Sequence, residues 1–181
     1  MSGLPFVAFY RNMNLGHRGS PSRLQLEAAI ERAGGKGARS FQTNGTVGFI
    51  ASAGAANQVV AEAGKQLANE VGYNDAVFVR SLDSVAEILE GNRFGGFADD
   101  RTYRETVTFF DGGKKLNLEL PWTCPKGNVD IIELHEAFAL SVIRKSGSTV
   151  GNPTSELEPR LGVPATTRTL GTIERLVKTI G

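Results

Sequence analysis

The sequence predicts an α+β fold, and three observations predict it. The first half alternates β-rich apolar runs with amphipathic stretches in the order βαββαβ, the split-βαβ pattern. Asn44-Gly45 lies between two β-rich runs and signals a hairpin, hence antiparallel pairing. Glycine supplies 22 of 181 residues, roughly 12% against an average of about 7%. Sharp turns and close backbone approaches follow from that excess.

Residues 6–10 form the first expected strand, and it stops at Arg11. A loop of glycines, asparagines and bases follows, and Ser20 caps a helix that begins at Pro21. Leu26, Ala29, Ile30 and Ala33 recur at helical spacing and give that helix a buried stripe. Gly34-Gly35 ends it with left-handed geometry. Residues 38–43 form the second strand. A type I′ turn at Asn44-Gly45, positive in φ at both residues, leads to a third strand over 46–51. The second helix covers about residues 55–71, with Val59, Val60, Ala63 and Leu67 inward, and Gly72 closes it. Residues 76–80 form the fourth strand. Ser81 then caps a short helix over 82–89.

Residues 91–100 form a loop with Gly95-Gly96 at its most flexible point. Strands are expected at 105–110 and, after an Asp111-Gly112-Gly113 turn, at 116–120, where Leu116, Leu118 and Leu120 alternate. Residues 121–128 connect onward and carry Trp122 and Cys124. Residues 129–144 fit two patterns. Ile131, Leu134, Phe138 and Val142 would line one face of a helix; the same residues also fit two strands around a His135-Glu136 turn. Residues 145–153 form a loop, and Pro153-Thr154 starts a short helix that Gly162-Val163-Pro164 breaks. Residues 165–169 lead into a last helix with Leu170, Ile173, Leu176, Val177 and Ile180 apolar. The chain is expected to divide into a 1–90 subdomain (βαββαβ plus a short helix), a 91–103 linker and a 104–181 α+β subdomain. No residue-level repeat between the halves is visible in the sequence alone.

Composition narrows the functional classes. Lys+Arg is 20 and Asp+Glu 19, a net charge of +1. A protein that coats nucleic acid or a membrane surface is usually more basic, so any anion site must be a local cluster. The single cysteine, Cys124, excludes an intrachain disulfide, and no Cys/His cluster has zinc spacing. No apolar run approaches the ~18 residues of a membrane span, and residues 1–5 lack the features of a secretion signal. A cytoplasmic protein without cofactor is the expectation.

Several stretches are similar to one family. Tyr10-Arg11-Asn12-Met13-Asn14-Leu15-Gly16 resembles the opening motif of domain-of-unknown-function family 1697, a widespread bacterial group. Asn44–Phe49, Val79-Arg80-Ser81, Asn92-Arg93-Phe94 and Val107–Phe110 resemble further motifs of that family, in the same order. Leu161–Leu176, with Ala165-Thr166-Thr167-Arg168-Thr169 at its centre, resembles its C-terminal motif. Asn12, Thr46, Arg93 and the segment Thr169-Leu170-Gly171 depart from the pattern. The resemblance implies two ferredoxin-like (split βαβ) subdomains with antiparallel sheets and helices packed on one face, and it favours two strands over 129–144. It implies no activity.

Two segments carry the candidate chemistry. The loop with Arg11, Asn14, Gly16, His17 and Arg18 combines guanidinium forks with free backbone N–H groups at a helix start, a combination suited to phosphate or carboxylate. Thr167 and Arg168 precede the last helix. The expected ligand-binding set is Arg11, Asn14, Gly16, Arg18, Thr167 and Arg168, with Arg144 and Asn152 nearby if the two segments converge. Phe9, Tyr10 and Phe41 are the candidate stacking platforms for a base. The leading expectation is a binding protein for an anionic, phosphate-containing small molecule or nucleic acid. The alternatives are an enzyme on a phosphorylated or acidic substrate, with His17 or Asp99-Asp100 as base, and a protein-interaction module with an unknown partner. Other motifs fail on spacing. His135-Glu136 is followed at position 139 by Ala139 rather than a zinc-ligating histidine. Gly35-Lys36-Gly37 lacks the third glycine of a dinucleotide fingerprint, and Gly112-Gly113-Lys114 lacks the earlier glycine of a P-loop.

Overall fold

A computed structural model of the chain describes residues 2–181. The chain is α+β with antiparallel sheets, and it divides into two compact units. The first holds the chain up to Ile88 together with Arg175–Gly181; the second is Leu89–Glu174. Among the described residues no helix is long and apolar enough to cross a membrane.

The first unit contains β1 (Leu4–Tyr10), α1 (Arg23–Arg32), β2 (Lys36–Phe41), β3 (Thr46–Ala51), α2 (Ala56–Val71), β4 (Val77–Ser81) and α3 (Leu82–Ile88). Its sheet runs β2-β3-β1-β4 with every neighbouring pair antiparallel. Side chains alternate across a strand, so Phe6, Ala8 and Tyr10 share a face with Val47 and Phe49. That face packs against Leu26, Ala29 and Ile30 of α1 and Val59, Val60, Ala63 and Leu67 of α2. Burying each large aliphatic or aromatic side chain there contributes roughly 1.5–3 kcal/mol. On the opposite face, Gly48 pairs with Val7 and lies against Ile180; a Cβ at Gly48 would collide with that side chain.

Local chemistry moved two expected boundaries and changed one expected turn. α1 starts at Arg23, and its cap is Ser22, which accepts from the Gln25 N–H while the Gln25 side chain accepts from the Ser22 N–H. Ser20 is not the cap, because its Oγ accepts from Asn14 N–H at 3.0 Å. β2 ends at Phe41, and the hairpin turn is longer than a type I′ turn: Gln42 and Gly45 have positive φ (54° and 71°), and Asn44 does not. Asn44 instead accepts from the Thr46 hydroxyl at 2.9 Å.

The second unit contains β5 (Thr102–Phe110), β6 (Trp122–Thr123), β7 (Val129–Leu134), β8 (Phe138–Ser146), β9 (Thr149–Val150), α4 (Pro153–Leu161) and β10 (Ala165–Thr169); α5 (Leu170–Ile180) follows. The sheet order is β10-β5-β8-β7-β6, with β9 on β8. Leu157 and Leu161 of α4 pack on Phe110, Val129, Ile131, Ala139 and Ala165. Residues 129–144 thus form two strands. The expected strand at 116–120 is absent: the leucines alternate but no neighbouring strand offers them backbone partners, and the segment is irregular. Residues 165–169, expected as a lead-in to the last helix, are a strand paired with β5.

Strand register exposes a repeat that the linear sequence hides. The path β7-β8-β5-β10 repeats β2-β3-β1-β4, with an irregular segment in place of the first helix. Val7 pairs with Arg80, and Val107 with Arg168. On that alignment Val7-Ala8-Phe9-Tyr10 matches Val107-Thr108-Phe109-Phe110. Arg80-Ser81-Leu82-Asp83-Ser84-Val85 likewise matches Arg168-Thr169-Leu170-Gly171-Thr172-Ile173. The hydrogen bonds repeat too. Ser81 Oγ accepts from Ser84 N–H at 3.2 Å and Thr169 Oγ1 from Thr172 N–H at 3.3 Å. Each arginine donates to the carbonyl of the residue before it.

Candidate functional site

The Arg11–Ser20 loop is closed largely on itself. Arg11 Nη1 lies 3.1 Å from both carboxylate oxygens of Asp75, and Asn12 Nδ2 donates to the same group at 3.0 Å. Gly16 N–H donates to Pro21 O, His17 N–H to Asn14 O and Ser20 N–H to His17 O. Gly16 needs its freedom, since its φ is +83°. Arg18 is exposed, with no ion-pair partner among the described residues. The loop therefore spends the N–H groups of Asn14, Leu15, Gly16, His17 and Ser20, and one of its two arginines, on holding its own conformation.

Thr167 and Arg168 stand on β10. The Thr167 hydroxyl meets Thr108 Oγ1 at 2.8 Å and Thr154 Oγ1 at 2.7 Å. Arg168 is 5% exposed and donates to Thr166 Oγ1 and Thr167 O at 2.7 and 3.0 Å. Arg144 binds Asp130 and approaches Asp99. Asn152 caps α4. Phe9 and Tyr10 are buried and offer no open face to a base; burial also raises the Tyr10 phenol above its ordinary value. The hydrogen bond from Arg101, opposed by desolvation, holds the Asp99 carboxyl below its usual range, which makes it a poor base. Cys124 is buried with Sγ 3.2 Å from Asn128 Oδ1, a packing role. The described residues hold no cluster of three or more metal-ligating side chains.

The second unit contains a cavity of about 720 Å³, within the 300–1,000 Å³ range of small-molecule pockets. Its apolar lining is Phe110, Leu116, Leu134, Ala137 and Leu161; Lys114, Lys115, His135 and Glu136 supply the polar part. The Gly112-Gly113 turn forms one wall, with φ of +66° and +100°. Lys114 N–H donates to Leu161 O at 2.8 Å and ties that turn to the end of α4. A side chain at Gly113 would meet Val163 and Leu161 within about 3 Å. Neither lysine side chain has an acidic partner among the described residues.

The opposite wall is the turn between β7 and β8, and a polar cluster supports it. Arg93 forks onto Glu133 (Nε–Oε1 3.2 Å, Nη2–Oε2 2.6 Å), and His135 Nε2 lies 2.8 Å from Glu133 Oε2. His135 stacks on Phe138 with ring centres 4.3 Å apart. Partial burial pushes the Glu133 carboxyl up. The hydrogen bonds and charges of His135 and Arg93 outweigh it and leave the carboxyl below its ordinary value. His135 Nε2 lies between Glu133 Oε2 at 2.8 Å and Arg93 Nη2 at 3.2 Å. Sequence reasoning rejected His135-Glu136 and Gly112-Gly113-Lys114 on zinc-protease and P-loop spacing and did not take up Glu133 or Lys115. The usable signals were a Gly-Gly-Lys-Lys turn, and Glu133 and His135 two apart at a strand end, where period-two geometry sets them on one face.

No curated protein matches the chain. Among solved structures, a conserved bacterial protein from Streptococcus pneumoniae is similar in fold, with a TM-score of 0.63, 15% identity and 99% of each chain covered. The sequence profile described as "Protein of unknown function (DUF1697)" matches residues 4–119. That match stops short of the Leu161–Leu176 motif yet spans more than half of the chain, which therefore belongs to this family of unknown function.

Proposed function

We propose that this protein binds a small anionic, phosphate-bearing ligand in the cavity between the Gly112–Leu116 turn and the Leu134–Ala137 turn. The observation that carries this reading is the pair Lys114 and Lys115, two cations without acidic partners lining a cavity with one carboxylate, Glu136. Lysine acts on phosphate as a point charge, and the bare Gly112-Gly113 backbone admits a ligand closely. Calorimetric titration with inorganic pyrophosphate and with AMP, in low and high salt, tests it. Binding should weaken at least tenfold in the Lys114→Ala/Lys115→Ala variant and fall with added salt. Equal affinity in that variant rejects the cavity as the site.

A second location for the anion is the Arg11–Ser20 loop, favoured by the exposed, unpaired Arg18 beside Gly16 and Gly19, both with positive φ. In that reading Arg11, Asn14, Gly16 and Arg18 hold the ligand. Loss of binding in Arg18→Ala but not in the lysine variant would select it. For the fold, we read both units as split-βαβ (ferredoxin-like), supported by the repeated strand order.

A further inference from the structure

We infer that the cavity ligand is amphipathic, an anionic head joined to an apolar body. This rests on the cavity reading proposed above and deepens it. The argument comes from how the lining is divided. Lys114 and Lys115 belong to the exposed turn, and Glu136 to the facing one. Phe110 and Leu161 are almost fully buried, and Leu116 and Leu134 are half-buried; all four line the same cavity. Inorganic phosphate alone would leave the exposed parts of Leu116 and Leu134 wet, and a purely apolar guest would leave the lysines without a counter-charge. An alkyl or aryl phosphate, or the corresponding carboxylate, satisfies both halves. Phe110 and Leu161 also belong to the core beneath α4, so the apolar wall is preformed rather than assembled by the ligand.

The test is a homologous series: methyl, butyl, hexyl and octyl phosphate, the alkanoates of matching length, and octanol, each titrated calorimetrically. Removing apolar surface from water strengthens binding by up to about fourfold per methylene. The expected result is a two- to fourfold gain per added methylene until the cavity is filled, with octanol at least tenfold weaker than octyl phosphate. In Leu116→Ala and Leu134→Ala, half-buried positions whose thermal melts report folding separately, the gain per added methylene should shrink. Affinity independent of chain length, with methyl phosphate binding, overturns the amphipathic ligand and leaves the anion site standing. Octanol equal to octyl phosphate overturns the anion site itself. No binding of any member overturns both.

Discussion

Arg93, Glu133 and His135 show how side chains far apart in sequence settle a local charge. Glu133 has a depressed pKa in the folded chain. A carboxyl of this kind contributes stability above its unfolded pKa, about 4.3, and loses the contribution as pH falls through the lower folded value. The Arg93 and Glu133 side chains are 24% and 27% exposed, so the contribution is at most about 1 kcal/mol. Urea denaturation of wild type and Glu133→Gln from about pH 5 to about pH 3 should show a gap that closes below about pH 4. A gap that widens in acid would contradict the assignment. Two glycines make a sharper contrast. Gly45 has positive φ, and a Cβ there would meet Met13 Cβ at 2.7 Å and Tyr10 Cβ at 2.9 Å; Gly16 also has positive φ, with nothing within 4 Å. Gly16→Ala should cost about 1–2 kcal/mol from the left-handed backbone alone, and Gly45→Ala distinctly more, as read from urea midpoints. Both glycines stood out in the sequence; which of them is crowded did not.

At the scale of elements, the sequence announced helices through their apolar spacing and strands through their β-rich runs, but it left ends open. Ser20 and Ser22 both precede α1, and choosing between them requires knowing that Asn14 N–H already occupies the Ser20 hydroxyl. Ser22→Ala should therefore destabilise the protein by about 1 kcal/mol and fray the first turn of α1, visible as faster amide exchange at Gln25. Ser20→Ala should leave α1 intact and loosen the loop instead. The segment 116–120 failed for a different reason. Alternation predicts which faces a strand would show, not whether a partner strand exists, and Leu120 is left 38% exposed. Residues 165–169 failed in the opposite direction, because the partner strand β5 lies about sixty residues away and local composition cannot report it. The candidate site suffered from the same locality: Arg11 looked free in the sequence because Asp75, which binds it, is distant along the chain.

At the scale of the whole molecule, order along the chain was legible and membership in a unit was not. The βαββαβ order of the first unit followed from spacing and turn chemistry. That Arg175–Gly181 belongs to that same unit could not, because the evidence for it is a missing side chain in β3. Gly48 is buried in a strand, where glycine ordinarily weakens the sheet, and its reason is Ile180 lying against it. This makes a double-mutant cycle decisive. Gly48→Ala keeps an ordinary strand backbone but drives a methyl into Ile180, so it should destabilise by about 1–3 kcal/mol, the usual cost of overpacking. Ile180→Ala removes a half-buried side chain and should cost about 1–2 kcal/mol, below the range for fully buried isoleucine. In the Ile180→Ala background the added methyl at position 48 fills the space just vacated, and the double variant should be more stable than the sum of the single losses by about 0.5–3 kcal/mol. Urea unfolding of the four proteins at one pH measures that coupling. Strict additivity would mean that the Ile180 side chain does not rest on Gly48 of β3.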